Sequence, residues 1–278
     1  MINGKAIYTP KGAALEYGRI GCNFYTGCPH NCEYCYLKRG APGKLLGGTE
    51  VRLKKCFKDE QQALEIFRKE VNNHKADCLS DGIFFSFTTD PLIKETRWLT
   101  LDAIMYCINY DIPVYVLTKD ATFSTDLSFG LRLMSIPEEK RHFVHFGFTL
   151  TGRDDMEPNA SSNNKRMVAM RSMKGAGFST FASIEPVIDW RSSVLVIVQT
   201  LGYCDHYKIG LRSGEKKDYY DSQEILRNVY TLKQYITMNG ATVYFKESVR
   251  KRVKEILDTE AYSRFLKDTV DMDGNKIE

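Results

Sequence analysis

From residue 80 onward the chain alternates short apolar runs with amphipathic stretches, and that rhythm admits few folds. A short strand followed by a helix-length segment, repeated, builds βα units whose strands pair in parallel beneath a cover of helices. The apolar runs are 82–88 (GIFFSFT), 113–118 (PVYVLT), 143–149 (FVHFGFT), 179–184 (STFASI), 206–210 (HYKIG) and 242–246 (TVYFK), with an earlier one at 18–26 (GRIGCNFYT). Segments 59–74, 97–110, 123–135, 161–175, 191–201 and 221–238 read as helices. Ser, Asn or Asp stands near the start of several, where its oxygen caps the first amides, and Gly175, Gly202 and Gly240 close three of them.

No composition shift, linker or short-period repeat divides the 278 residues, so the reading is one α/β domain over 1–278. Residues 1–17 form an arm ahead of the first strand, and 268–278 a loose charged tail. The longest apolar runs, such as VLVIV at 194–198, fall far short of the ~20 residues of a membrane span. The start MINGKAIYTPKG has no apolar signal region, so a soluble, cytoplasmic protein is expected, with no membrane partner. Net charge is +4, from 39 basic and 35 acidic residues, too balanced to identify a nucleic-acid binder without a local patch.

Chemistry concentrates in GCPHNCEYCYLKRG, residues 27–40, where Cys28, Cys32 and Cys35 are spaced C-x3-C-x2-C. The other five cysteines, Cys22, Cys56, Cys78, Cys107 and Cys204, are scattered through a chain too large to need disulfide staples. Three clustered thiols in a reducing compartment point to a metal. Three thiolates leave a tetrahedral centre one protein ligand short, as reactive sites are. Zinc would need Cys22 or His30 as its fourth ligand. Cys22 falls in the first predicted strand, and His30 lies between two ligands of the same loop. A compact loop turned by Gly27 and Pro29 is instead how cysteine runs hold iron–sulfur clusters.

C-x3-C-x2-C with Tyr34 just before the last cysteine resembles the signature of the radical S-adenosylmethionine (SAM) superfamily. The longer run YTPKGAALEYGRIGCNFYTGCPHNCEYCY, residues 8–36, resembles the branch near spore photoproduct lyase and the phage Gp37/Gp68-type proteins. The resemblance implies a partial (β/α)6 TIM-like barrel with an added C-terminal strand and helix. It also implies a [4Fe–4S] cluster on Cys28, Cys32 and Cys35, with SAM completing the fourth iron and an external low-potential electron donor. One electron would split the sulfonium C–S bond to methionine and a 5′-deoxyadenosyl radical, which takes a hydrogen atom from the substrate. Nucleic acid or a nucleotide is the substrate class this kinship suggests, with a peptide as the alternative. A non-enzymatic zinc or iron–sulfur module binding nucleic acid is the rival of another class.

In β/α barrels chemistry gathers at the C-terminal ends of the strands. Polar groups stand there in five of the runs: Thr88-Thr89-Asp90, Thr118-Lys119-Asp120, Thr149 with Thr151, Ser183 with Glu185, and Lys246-Glu247. By resemblance, Thr88, Thr89 and Asp90 occupy the place that receives the methionyl ammonium, through Asp90 or through backbone carbonyls. Arg166 pairs with the methionyl carboxylate in this branch, Lys119 is a candidate for SAM or a substrate phosphate, and Glu185 for ribose hydroxyls or substrate. The run DPLIKET departs from the branch's Asp-Pro-Tyr-Gln-Pro-x-Glu, so no role passes to Glu95. GAPGKLLGG at 40–48 lacks the spacing of a phosphate-binding loop. KESVRKRVK at 246–254 is the densest basic run and reads first as a solvated helix.

Overall fold

The computed structural model describes residues 1–38, 43, 46–212, 214, 219–272 and 274–277. Strands β2 (Gly21–Cys22), β5 (Ile83–Phe85), β6 (Val114–Thr118), β7 (Val144–Thr149), β8 (Ser179–Val187), β9 (His206–Leu211) and β10 (Thr242–Phe245) run parallel, in that order across one sheet. β1 (Ile7–Tyr8) pairs antiparallel on the outside of β2. A separate two-stranded ribbon joins β3 (Tyr25–Thr26) to β4 (Arg52–Leu53). The helices are α1 (Glu60–Asn73), α2 (Lys75–Asp81), α3 (Arg97–Asn109), α4 (Leu127–Met134), α5 (Asn163–Gly175), α6 (Trp190–Thr200), α7 (Ser222–Met238), α8 (Glu247–Ile256) and α9 (Thr259–Leu266). This is the expected α/β architecture: six βα units in a partial barrel, followed by an added strand and helix.

The helices begin where the sequence supplies an oxygen. Asp59, Asp126, Ser162, Asp189, Asp221 and Asp258 each accept a backbone amide of the first turn that follows. Period-two alternation then sorts the strands. In β6, Val114, Val116 and Thr118 are buried while Tyr115 and Leu117 are half-buried. Across the register, Gly147 of β7 faces Phe181 of β8, and a Cβ on Gly147 would lie 2.0 Å from the Phe181 ring. The absent side chain is what lets that ring occupy the barrel interior.

Several boundaries differ from the sequence reading. The run 18–26 is two short strands, because the chain leaves the sheet at Asn23, whose amide donates to Ala6 and whose side chain accepts from Phe87. The run 82–88 stops as a strand at Phe85, β8 continues to Val187, and 123–135 splits into a 3-10 turn over Thr122–Thr125 and α4. The expected loose tail is docked. Val270 donates its amide to the Val243 carbonyl, forms a bridge with Lys276 and is only 2% exposed. The outward carbonyl of β10 and an apolar side chain within a charged segment account for this. Of the stretch 40–48, residues 40–42, 44 and 45 lie outside the described residues, as do 273 and 278 of the tail. Among the described residues no helix is long and apolar enough to cross a membrane.

A cavity of about 650 Å3 opens at the N-terminal end of the barrel, lined among others by Tyr115, His145, Phe181, His206 and Lys208. It lies at the end of the strands opposite the cysteine loop. His145 stacks on Tyr115 at 4.4 Å, and His206 Nδ1 lies 2.8 Å from Thr242 Oγ1. Burial holds both imidazoles neutral, lowering His145 to about 4 and His206 to about 3. An unfolded histidine titrates near 6.5, so between that value and the folded ones the unfolded chain binds more protons. Stability is therefore complete above about pH 6.5 and falls as the pH drops toward 4. Thermal unfolding recorded across that window should show the loss, and a His145→Gln/His206→Gln double variant should flatten it.

Candidate active site

The cysteine loop leaves the sheet just beyond β2 and is clasped by the segment ahead of β4. Gly27 takes a φ of +80°, and a Cβ there would lie 2.0 Å from the Glu50 carbonyl oxygen, so only glycine fits. The Gly27 amide donates to Leu46 and that of Cys28 to Gly48, at 3.2 and 2.9 Å. Further along, Glu33 donates to Met156, and Cys35 to Cys32. All three cysteines are free thiols; Cys32 is buried, and Cys28 and Cys35 are half-buried. Burial pushes the Cys28 thiol up to about 12 and raises that of Cys32, so each keeps its proton until a metal displaces it.

Neither proposed zinc partner is placed to help. His30 is buried with Nε2 at 2.8 Å from Asp90 Oδ2 and Nδ1 at 3.2 Å from the Asn159 carbonyl, so both nitrogens are engaged. Two acceptors require two N–H groups, which makes the ring an imidazolium. Burial opposes that charge, but the bond to Asp90 and its field outweigh burial and raise the pKa. Cys22 belongs to the hydrophobic core, and burial raises its thiol strongly. Among the described residues no three of His, Cys, Asp and Glu converge on one ion. Cluster thiolates bind different irons and do not require that convergence.

Behind the loop, the ends of β5, β6 and β7 meet in one polar network. Asp90 is buried and its carboxylate is saturated: Oδ1 accepts from Thr118 Oγ1 and the Leu92 amide, Oδ2 from His30 and the Lys119 amide. Burial opposes its charge, yet these donors, His30 foremost, hold it below the usual carboxylate range. Asp90 therefore organises the rim through these four bonds. Thr88 Oγ1 donates to the Tyr25 carbonyl at 2.5 Å, and Thr89 Oγ1 is buried without a hydrogen-bond partner.

Arg166, at the start of α5, is fully buried. Nη1 donates to the Thr149 carbonyl at 2.5 Å and Nη2 pairs with Glu157, while Nε has no partner. Glu157 also accepts from the Tyr34 hydroxyl, and from Thr151 Oγ1 at 3.2 Å. Burial opposes the charge of Glu157, but Arg166 and then Lys119 outweigh it and keep the carboxylate ionised. Lys119 Nζ lies 5.5 Å from the centre of the Tyr34 ring. Thus Tyr34, Lys119, Thr149 and Arg166 form one assembly around Glu157, a residue that sequence reasoning left out of the site.

Glu185 belongs to a second assembly across the barrel. Its Oε2 accepts from Tyr17 and from Lys246 Nζ, each at 2.5 Å, and the Tyr17 hydroxyl also lies 2.7 Å from Ser183 Oγ. Lys246 is buried, 4.3 Å from the centre of the Tyr17 ring. Sequence reasoning missed Tyr17 because it sits in the arm, although the Glu-Tyr pair in the resembling stretch was a signal for it. Tyr220 donates to the Val187 carbonyl and accepts from the Arg212 amide, which makes it a support of the β8 end. In the basic run, Arg250 packs over Tyr244 and donates to Val270, and Arg252 pairs with Glu255.

A parallel barrel with a three-cysteine loop beyond its first parallel strand is the radical SAM fold. The solved structures it resembles are of that kind: spore photoproduct lyase with bound AdoMet and dinucleoside spore photoproduct superposes with a TM-score of 0.63 at 16% identity, over 86% of this chain and 79% of that one. SuiB of Streptococcus suis bound to S-adenosylmethionine gives 0.52 at 13% identity, over 91% and 59%. In sequence, the chain is 23% identical to spore photoproduct lyase of Geobacillus sp. (strain Y412MC61) over 63% of its length. That match spans about half, 49%, of the Geobacillus protein. It is also 25% identical to an uncharacterized protein of Methanocaldococcus jannaschii, over 77% of this chain and 82% of that one. No family model matches the chain.

Proposed function

We propose that the chain is a radical SAM enzyme whose Cys28, Cys32 and Cys35 hold a [4Fe–4S] cluster, with SAM as ligand of the remaining iron and an external low-potential electron donor. The observation that carries this reading is a set of three free thiols on one clasped loop at the C-terminal rim of a parallel barrel. Such a cluster with SAM supplies one-electron cleavage of the sulfonium bond and a radical that abstracts hydrogen.

The residues present fit that pair. Soft thiolates on one loop are iron–sulfur ligands. Thr89 Oγ1 and Arg166 Nε are buried polar atoms with a hydrogen-bonding capacity that a ligand can use. Gly27 keeps the loop close to its clasp, Asp90 and His30 fix the turn above β5, and the Glu157–Arg166 pair holds Tyr34 in place. Glu185 and Lys246 offer an acceptor and a donor on the far side of the barrel.

For the substrate, a nucleic acid or nucleotide is favoured by the sequence similarity to spore photoproduct lyase. The basic helix α8 adds less to this reading than its composition suggests, because Arg250 and Arg252 already have partners. The test is to reduce the reconstituted, SAM-loaded protein under anaerobic conditions with DNA, RNA or cell-extract peptides. Release of 5′-deoxyadenosine above the substrate-free rate is expected with nucleic acid; stimulation by peptides alone would remove that substrate class, and no cleavage under any condition would remove the enzymatic reading.

A further inference from the structure

We infer that Glu185 reads the base of a nucleic-acid substrate: its Oε1 accepts a hydrogen bond from the exocyclic amino group of cytosine or adenine, so that a base without an amino group, such as thymine, is disfavoured. The inference rests on the nucleic-acid reading of the substrate and adds to it a class of base.

Within the chain only one oxygen of this carboxylate is committed. Oε2 accepts from the Tyr17 hydroxyl and from Lys246 Nζ, each at 2.5 Å, while among the described residues Oε1 has no hydrogen-bond partner. The Glu185 side chain is 20% exposed against 2% for Lys246, so the carboxylate can be reached where the ammonium behind it cannot. A Cβ on Gly210 of β9 would lie 2.9 Å from Oε1. Glycine at that position therefore leaves the oxygen uncovered. Two strong donors fix the carboxylate from behind and leave one acceptor for a ligand.

The charges around it are balanced. Glu16 and Glu185 face Lys208 and Lys246: Lys246 Nζ lies 3.5 Å from Glu16 Oε2, and Lys208 Nζ donates to the Glu16 carbonyl at 2.6 Å. A phosphate or an ammonium would meet no surplus of opposite charge, whereas a neutral N–H or O–H donor fits. The neighbouring walls favour a flat heterocycle over a sugar hydroxyl. The Tyr17 ring, tied to Glu185 by its hydroxyl, lies 5.4 Å from that of Phe84 and 6.5 Å from that of Phe87, and Phe84 stacks on Phe87 at 4.6 Å. Tyr17 and Phe87 are half-buried, and Tyr36, whose hydroxyl donates to the Phe87 carbonyl, is exposed. A base turned out of its strand is recognised by stacking on such side chains together with hydrogen bonds to its edge.

The base edge decides which of them fits. A carboxylate oxygen accepts from the amino group of cytosine, and the amino group of adenine is the same kind of donor. Thymine carries carbonyl oxygens on both sides of its N3–H, and these repel the carboxylate. Glutamine at position 185 can present an NH2 group in the same place and donate to thymine O4, so the preference should weaken with that single exchange.

The experiment measures fluorescence anisotropy of short single-stranded oligomers of cytosine, adenine or thymine on the reconstituted, SAM-loaded protein. Wild type should bind the cytosine and adenine oligomers about tenfold or more tighter than the thymine oligomer, the size of one good base contact. Glu185→Gln should bring that ratio to about twofold or less. Gly210→Ala keeps the carboxylate but crowds Oε1 and should lower the ratio as well, so that either variant serves if the other fails to fold. SAM affinity, measured by equilibrium dialysis, should change less than about threefold in both, below the loss expected for a broken charged hydrogen bond. Equal binding of the three oligomers by wild type overturns the proposal, and so does an unchanged ratio in the folded variants. A large loss of SAM affinity with the base preference intact overturns it too, and would assign Oε1 to a hydroxyl of SAM. A wild-type protein that binds none of the oligomers would instead defeat the nucleic-acid reading beneath it, a separate and distinguishable result.

Discussion

In the Cys32→Ala protein, anaerobic reconstitution should leave no brown cluster, and reduction should yield no 5′-deoxyadenosine from SAM. Cys32 is the buried member of the three thiols and the middle one in the loop. Its removal would take away one of the three anchors proposed for the cluster. The loop's folding does not hang on the thiol, because its clasp is made by backbone groups of Gly27, Cys28 and Glu33. Iron and sulfide content should collapse while the circular dichroism of the helices stays unchanged. Cys56→Ala, at an exposed position outside the loop, is the matched control and should keep full colour. A Cys32→Ala protein with wild-type iron and absorbance would place the cluster elsewhere or nowhere.

The second large effect is on stability. Arg166 and Glu157 are both fully buried as side chains and bonded to each other. Breaking such a pair from one side leaves a lone charge in the interior, which costs about 3–5 kcal/mol. Arg166→Met and Glu157→Leu should each lower the unfolding free energy by that order in urea titrations. A paired replacement, Arg166→Met with Glu157→Leu, should cost clearly less than the sum of the two, because no uncompensated charge remains. Additive effects in this cycle would mean that the pair is not coupled. The same network predicts that Arg166→Ala weakens SAM binding, since Tyr34 is bonded to Glu157 and loses its anchor when the pair is broken.

The barrel was legible because its signals are local. Strand runs, caps and the C-x3-C-x2-C spacing all act over a few residues, and the caps at Asp59, Ser162 and Asp221 fall where the sequence placed helix starts. The polar rim was legible as a set of strand ends, since a parallel barrel gathers them. Which member touches which was not. Asp90 reads as a ligand acceptor in sequence, yet four donors from three separate segments fill it. His30, Glu157 and Tyr17 owe their positions to partners 60, 9 and 168 residues away, and periodicity does not report such contacts. The docked tail was missed for the same reason, since composition reports its charge and says nothing of one valine facing an outward carbonyl.

That tail bears on how the molecule behaves among its neighbours. An incomplete barrel has two margins where backbone groups face outward, and such margins recruit strands from other molecules. Here β1 lies along one margin and Val270 is bonded to the other. Each end of the polypeptide thus seals the seam nearest to it. Trimming either end exposes a sticky edge, and the first symptom would be self-association in solution, ahead of any fault in the chemistry.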